Sequence, residues 1–448
     1  MSIPAKNETN PLRPAYKKAE DIFNFTETSD ACIMCGKCIP VCTIHNVHPD
    51  ETTSPRGFIQ LLGAYEEGKL PLDKTAKDIF ESCFLCTNCV DVCPKDLPTD
   101  MVIEQVRSDL ADKFGIAWFK RLFFYLLRHR KVMDLLFKMG YVFQTCGFKI
   151  KAEAQSMSPR FRMPIIKKDR LLPSMGKTSF LNKYPENIDN GGKRKVAVFI
   201  GCLANYNYTK IGDGLLDILE SLEIDAFLAK SQLCCSAPAY FTGDFNTVDA
   251  LAKKNITYFE TFIDDVEAII IPEATCSAMI KVDYEHYFHD QPEWKERAAK
   301  LKSKIFMATE WLEKRTHLAE ILKNKEASPD VVTYHDPCHA RKMQGIFQEP
   351  RNLLSINHPM VEMSDPNQCC GFGGVTMQTE KYHFALAAGK PKAAMIKNTQ
   401  AQVVSAECSA CRMQLSNALF VADVNTTFKN PIELIADTLK NRDKDGSK

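Results

Sequence analysis

The sequence predicts an α+β multidomain chain, with an α-helical, cysteine-ligating domain first and two tandem α/β cysteine-rich repeats after it. Three observations predict it. Eight of the 18 cysteines fall in two short N-terminal runs of identical spacing. Single and paired cysteines of the second half recur about 135 residues later. Apolar strands alternate there with helical periodicities, the pattern of α/β units. The 448 residues divide at 1–116, 117–194, 195–325 and 326–448: helical domain, linker, first repeat, second repeat. A composition 45% apolar and 25% charged is globular, which excludes disordered and collagen-like chains. With 18 cysteines in a chain this long, the thiols are ligands or redox groups rather than the staples of a mini-domain. A net charge of +1 gives no reason to expect nucleic-acid binding.

The first residues carry no apolar signal-peptide core, and no window approaches the ~18 uncharged apolar residues of a membrane span. A cytoplasmic protein with reduced thiols is expected.

In the first domain, Cys32, Cys35, Cys38 and Cys42 are spaced C-x2-C-x2-C-x3-C. Cys83, Cys86, Cys89 and Cys93 repeat that spacing and are followed by Pro94. This is the bacterial ferredoxin pattern for two 4Fe-4S clusters, in which the fourth cysteine of each run ligates the other cluster. Cluster I is therefore expected on Cys32, Cys35, Cys38 and Cys93, and cluster II on Cys83, Cys86, Cys89 and Cys42. A pair of zinc sites also uses C-x2-C, but two identical four-cysteine runs fit iron–sulfur better. Between and after the runs, helices are expected over 54–65, 75–81 and 100–114. Ser54-Pro55 reads as an N-cap with proline in the first turn. Ile103, Val106, Leu110 and Phe114 form one face of the last helix.

The linker is basic. Residues 118–170 carry 13 Lys/Arg against Asp134, Glu153 and Asp169, a local charge of +10. Leu122, Tyr125, Leu126, Met133, Leu136 and Phe137 are expected on one helical face, and Lys120, Arg128, Lys131 and Lys138 on the other. Such a helix suits an interfacial membrane anchor, a docking element or plain packing. Residues 155–195 read as an extended connector. Lone Cys146 is expected to be a buried thiol.

In the repeats, strand 196–202 ends in Cys202 and strand 331–338 in Cys338. Cys234-Cys235 and Cys369-Cys370 follow, and strands at 268–272 and 403–404 precede Cys276 and Cys408. The offsets between the copies are 136, 135 and 132 residues. Helices are expected over 211–222 and 381–396. Cysteines just past strand ends converge on one edge of a sheet, where α/β proteins place ligands. The second copy is complete, with Cys338, Cys369, Cys370, Cys408 and Cys411 and the glycines Gly371, Gly373 and Gly374, and a further cluster is expected there. The first has Ser236 for Gly371 and Met279 for Cys411, keeping Cys202, Cys234, Cys235 and Cys276, which hold either a cluster or a decayed site. His335 and His339 flank Cys338 and serve either as hydrogen-bond donors to cluster sulfur or as structural groups. His45 and His48 read as solvent or packing histidines. No phosphate loop and no dinucleotide fingerprint is found.

Ser54-Pro55-Arg56-Gly57, Asp336-Pro337-Cys338-His339, Cys369-Cys370-Gly371 and Cys276-x2-Met279 resemble the glycolate oxidase iron–sulfur subunit family. Related patterns occur in anaerobic glycerol-3-phosphate dehydrogenase and in the catalytic subunit of heterodisulfide reductase. The repeats are called CCG domains there. The resemblance implies an electron-transfer subunit of a respiratory 2-hydroxy-acid dehydrogenase complex of glycolate or lactate type. Electrons would come from a FAD-containing partner subunit and pass toward quinone or another membrane acceptor. Peripheral contact with the cytoplasmic face of the membrane through 118–170 would serve that role. The alternatives are an electron carrier of the glycerol-3-phosphate dehydrogenase type, a disulfide reductase whose five-thiol site, Cys338, Cys369, Cys370, Cys408 and Cys411, is catalytic, and a non-catalytic iron–sulfur scaffold.

Overall fold

Helices α1 (Phe25–Ala31), α2 (Thr43–Val47), α3 (Pro55–Glu66), α4 (Lys74–Phe80), α5 (Asn88–Asp91) and α6 (Thr99–Phe114) build the N-terminal part. The structure is a computed structural model that describes residues 25–162, 166 and 170–441. Ser54 caps α3 by accepting from the Gly57 amide at 3.0 Å, with Pro55 at the first helical position. Asp73 caps α4 through the Ala76 amide at 2.9 Å. On α6, Ile103, Val106 and Leu110 are buried as the periodicity requires. Phe114 is exposed, because the helix ends there at Gly115, whose φ is +73°.

The linker contains two helices, α7 (Trp118–Arg128) and α8 (Arg130–Gly147), broken at His129 (φ −122°, ψ 69°). The break splits the expected faces: Arg128, Lys131 and Lys138 stay exposed, but the apolar set divides and Lys120 turns inward. Leu122, Tyr125 and Leu136 are exposed, whereas Lys120, Phe124, Leu127 and Met133 are buried. Lys120 turns inward because its ammonium donates to Thr376 Oγ1 at 2.9 Å and pairs with Glu380. Cys146, expected to be buried, is exposed on α8 beside exposed Val142 and Phe143. The stretch 155–195 is not simply extended. With β1 (Phe148–Lys151), β2 (Ser156–Pro159) and β3 (Leu172–Pro173) form a small antiparallel sheet.

The first repeat is a five-stranded sheet of β4 (Asn187–Ile188), β5 (Arg194–Val198), β6 (Ile224–Leu228), β7 (Ile269–Ile271) and β8 (Ile305–Met307). Its order is β4-β6-β5-β7-β8, parallel except for edge strand β4. Val196–Val198 and Ile269–Ile271 are fully buried, as strands covered on both faces must be. α9 (Cys202–Tyr206) and α10 (Lys210–Ser221) follow β5, and α11 (Ala274–Ala278) follows β7.

The second repeat has three parallel strands, β9 (Val332–Tyr334), β10 (Val403–Ser405) and β11 (Thr427–Lys429), in the order β11-β10-β9. Val332 also makes a parallel bridge to Met360. That bridge stands where β6 stands in the first repeat, so the two sheets share one strand order. α12 (Cys338–Gln344) follows β9, α13 (Tyr382–Asn398) precedes β10, and α14 (Ser409–Val421) follows it. The expected strands 196–202 and 331–338 both end early, because Cys202 and Cys338 open helices rather than close strands.

The repeats dock at their strand ends. Glu273 accepts from the Ser409 amide at 2.7 Å and pairs with its hydroxyl. Glu407 accepts from the Thr309 amide at 3.2 Å, and its carbonyl accepts from the Ala274 amide at 2.8 Å. Burial pushes each carboxyl up to about 8. The N-terminal part joins both repeats. Buried Arg107 of α6 donates to the carbonyls of Phe80, Cys83 (2.7 Å) and Phe241 (2.7 Å).

Candidate metal centres

The structure gathers Cys32, Cys35, Cys38 and Cys93 around one pocket, with Cys89 at its inner edge. Cys42, Cys83, Cys86 and Cys89 line a second. In both, the cysteine from the distant run closes the ring left open by three cysteines of the near run. The tight loops need left-handed backbone, supplied by Met34 (φ 54°) and Gly36 (φ 76°) in the first and by Leu85 (φ 51°) and Thr87 (φ 57°) in the second. Outside glycine that conformation is uncommon and strained. Burial pushes Cys83 up to about 12 and also raises Cys42. Four thiols in an apolar pocket are poor thiolates alone and need a cationic centre to ionise. The donor set therefore suits an iron–sulfur cluster in each pocket. The first pocket lies toward the surface, where Cys35, Ile33 and Met34 are exposed, and the second is buried.

The second repeat meets the second pocket. Cys369 lies within hydrogen-bonding reach of Cys86, whose sulfur is 3.4 Å from Thr43 Oγ1. Buried Lys342 of α12 bridges the two, donating to the Asn367 carbonyl at 3.1 Å, to Asn88 Oδ1 and to the Cys86 carbonyl. The four thiols Cys369, Cys370, Cys408 and Cys411 are buried, and the Cys370 and Cys411 sulfurs are 3.5 Å apart. Hydrogen bonding from Cys411 holds the Cys408 thiol down to about 6, and neighbouring Cys369 and Cys411 lower Cys370. Cys411, between Cys370 and Cys408, is raised. Gly371 has φ +87°, and a Cβ there would lie 2.8 Å from Ala388 Cβ. Glycine alone fits that close approach beside the cysteine pair.

His335 is 1% exposed, and its ring lies within 4.8 Å of the Cys370 and Cys411 sulfurs. Its Nδ1 is 3.2 Å from the Pro366 carbonyl, which only accepts, so Nδ1 carries the proton. Burial holds the ring well below its ordinary pKa, hence neutral. Nε2, which has no hydrogen-bond partner, therefore presents a lone pair. Of the two roles the sequence left open for His335, donor to cluster sulfur or structural group, its bond to the Pro366 carbonyl favours the structural one. His339 Nδ1 is 3.4 Å from Cys338 Sγ. His45 meets the Asp50 carbonyl locally, and His48 packs against Phe384 on α13 of the second repeat.

In the first repeat, Cys202 reaches Cys234, Cys234 reaches Cys235, and Cys235 reaches Cys276. The four retained thiols form one contiguous group. Ser236 adopts φ +76°, the glycine-type conformation of Gly371, so the backbone of the copy persists where its residue does not. Gly201 lets β5 end against Cys276, because a Cβ there would sit 3.0 Å from the Cys276 sulfur. Thr275, next to Cys276, places Oγ1 3.5 Å from the Cys408 sulfur and so links the two repeats' thiols. Cys202 and Cys234 open onto a pocket lined also by Leu127, Arg130 and Met133 of α7 and α8.

Thr43, Thr275, Lys342 and Asn88 were not singled out by sequence. Thr43 and Thr275 each adjoin a cysteine, a weak signal. Lys342 and Asn88 meet only through the fold.

Residues 28–97 match the model of a 4Fe-4S dicluster domain, and 196–281 and 332–416 each match a cysteine-rich domain. The chain is 28% identical over 395 residues to a probable glycolate oxidase iron–sulfur subunit of Bacillus subtilis, covering 86% of this chain and 87% of that protein. It is 26% identical over 412 residues to one of the subunits of a fumarate reductase (CoM/CoB) of Methanothermobacter marburgensis, covering 90% of this chain and 70% of that one. It is 31% identical over 185 residues to lactate utilization protein A of Geobacillus kaustophilus, covering 40% of this chain and 73% of that one. A crystal structure of a hypothetical protein from Helicobacter pylori shares the fold, with a TM-score of 0.51 at 11% identity over 96% of this chain and 77% of that one.

Proposed function

We propose a function on the premise that this chain belongs to the glycolate oxidase iron–sulfur subunit family, carrying a 4Fe-4S dicluster domain and two cysteine-rich domains. It is an iron–sulfur subunit of an oxidoreductase complex. In our reading it takes electrons from a FAD-containing partner that oxidises a 2-hydroxy acid of glycolate or lactate type, and delivers them toward a membrane quinone. The relatives named for glycolate oxidase and lactate utilization support that substrate class. We assign 1–116, 195–325 and 326–448 as its domains, with 117–194 as the linker.

One observation carries the reading: the cysteine groups adjoin in series. The exposed pocket of Cys32, Cys35, Cys38 and Cys93 shares Cys89 with the buried pocket of Cys42, Cys83, Cys86 and Cys89. Cys86 of the latter reaches Cys369 of the second repeat, and Thr275 ties Cys408 to the first. Bound clusters supply one-electron redox chemistry. Within the chain, the four cysteines of each N-terminal pocket hold a cubane. Cys338, Cys369, Cys370, Cys408 and Cys411 hold a third centre, and Cys202, Cys234, Cys235 and Cys276 suffice for a fourth. The subunit works peripherally at the cytoplasmic face of the membrane.

The test is anaerobic purification with iron and sulfide analysis, then EPR after adding the flavoprotein of the same complex with glycolate or lactate. Substrate-dependent reduction is expected. Zinc in place of iron, or clusters that stay oxidised, refutes the proposal.

A second reading, disulfide reduction at the second repeat, is favoured by its complete five-cysteine set, in which the Cys370 and Cys411 sulfurs lie 3.5 Å apart. A disulfide substrate should then perturb an EPR signal in the wild type and in the exposed control Cys146→Ala, but not in Cys411→Ala.

A further inference from the structure

We propose that the outer faces of α7 and α8 form a docking surface for an anionic phospholipid bilayer, with both helices lying in the plane of the interface. The proposal deepens, and rests on, the reading of this chain as a carrier that serves a membrane acceptor.

Ten of the 18 large apolar side chains exposed among the described residues lie on these two helices. They follow helical spacing on the outer side. Trp118, Leu122 and Tyr125 recur at i, i+4 and i+7 on α7. Val132, Leu135, Leu136, Met139, Val142 and Phe143 form the stripe on α8, with Trp118 66% and Phe143 63% exposed. An ordinary surface helix shows polar residues outward, so these stripes serve something other than the core. The opposite faces are already engaged. Phe124 and Leu127 are in the core, and Phe137 stacks on Tyr206 with ring centroids 4.4 Å apart. Gln144 exchanges hydrogen bonds with the Met175 backbone at 3.0 and 3.2 Å. The inner side is fixed, and the outer side has no protein to cover it among the described residues.

Charge selects the occupant. Arg121, Arg128, Lys131 and Lys138 stand exposed on the same helices, and Lys149 and Lys151 extend the basic surface onto β1. Asp134 is the acid of these helices, and it turns inward to accept from Tyr206 Oη at 2.6 Å. Apolar stripes flanked by lysine and arginine match the boundary between acyl chains and anionic headgroups, whereas protein interfaces are depleted in lysine. No helix among the described residues is long and apolar enough to cross a membrane, so the contact is interfacial. The inner faces of both helices line the Cys202/Cys234 pocket. A docked subunit thus holds those thiols roughly one helix diameter, about 10 Å, from the bilayer.

The experiment is flotation of the cluster-loaded full chain with phosphatidylcholine vesicles, with and without phosphatidylglycerol. Binding should require phosphatidylglycerol and weaken with salt. Each neutralised charge among Arg121→Gln, Arg128→Gln, Lys131→Gln and Lys138→Gln should lower partitioning about fivefold. Val142→Glu with Phe143→Glu should lower it at least about tenfold, while Val361→Glu, at an exposed site of the second repeat, should leave it unchanged. Absent phosphatidylglycerol-dependent binding, or binding indifferent to the Val142/Phe143 variant, overturns the proposal. So does a variant that loses the flavoprotein partner yet still binds vesicles, since the surface is then a protein interface. Cluster reduction by the flavoprotein with a soluble dye acceptor needs no bilayer. If it succeeds where vesicles fail to bind, docking alone falls. If vesicles bind and reduction fails, the electron-transfer reading alone falls.

Discussion

Lys342→Met tests the junction between the buried N-terminal pocket and the second repeat. Lys342 is 2% exposed and donates to the Asn367 carbonyl at 3.1 Å, to Asn88 Oδ1 and to the Cys86 carbonyl at 3.5 Å. Methionine keeps most of the apolar stem and loses the donors. Hydrogen bonds to a charged group contribute about 1.5–3 kcal/mol each. The Cys86 contact sits at the distance limit, so two bonds dominate, a gross loss of about 3–6 kcal/mol. Relief from burying an ammonium offsets part of this, leaving about 2–4 kcal/mol for local opening. At about 1.4 kcal/mol per tenfold, this is a roughly 30- to 1000-fold loss of amide hydrogen-exchange protection in segments 83–91 and 365–371. Exchange read by mass spectrometry in wild type and variant measures it, with β5–β7 as the internal control. Protection within about threefold of wild type would refute the assignment of Lys342 as the bridge.

Three further outcomes are expected. Cys42→Ser should remove the EPR signal of the cluster served by Cys83, Cys86 and Cys89 and spare that of Cys32, Cys35 and Cys38. Loss of the sequence-adjacent cluster instead would reverse the ligand exchange between the runs. Gly57→Ala would put a Cβ 1.9 Å from the Glu51 carbonyl oxygen, an overlap costing about 1–3 kcal/mol; a lower thermal midpoint with poorer cluster loading checks it. Burial pushes the Asp283 carboxyl up to about 7, with His339 opposing and Asp100 adding to the shift. The folded state then binds a proton that the unfolded state releases above its ordinary 3.8, so stability falls as pH rises from about 4 to about 7. Glu273 and Glu407 add to the same fall, so Asp283→Asn should make the decline of the denaturation midpoint over that window shallower without abolishing it, and an unchanged slope would place the titration elsewhere.

The chemistry was legible in the sequence because cluster ligation leaves its mark in local spacing. C-x2-C-x2-C-x3-C runs and Cys-Cys pairs mark candidate donors without any fold. The repeat was legible because duplicated strands carry their cysteines at fixed offsets, and Ser236 retains the left-handed backbone of Gly371 although its side chain changed. Periodicity placed α6 and α10 because one face of each meets a core.

Tertiary structure decided the rest. A helical wheel says which residues share a face but not which face meets the core, and packing of α7 and α8 leaves Leu122, Tyr125 and Leu136 outward. Lys120 is buried because its partners, Thr376 and Glu380, lie some 250 residues away in sequence. Cys146 points outward for want of a neighbouring element over α8 among the described residues. The contact of Cys86 with Cys369 and the Lys342 bridge depend on loops brought together across domains, and the lone pair of His335 depends on Pro366, brought beside it within the second repeat. Spacing along a chain encodes which atoms can bind a cluster. Which cluster lies beside which is set by packing between segments that share no local sequence.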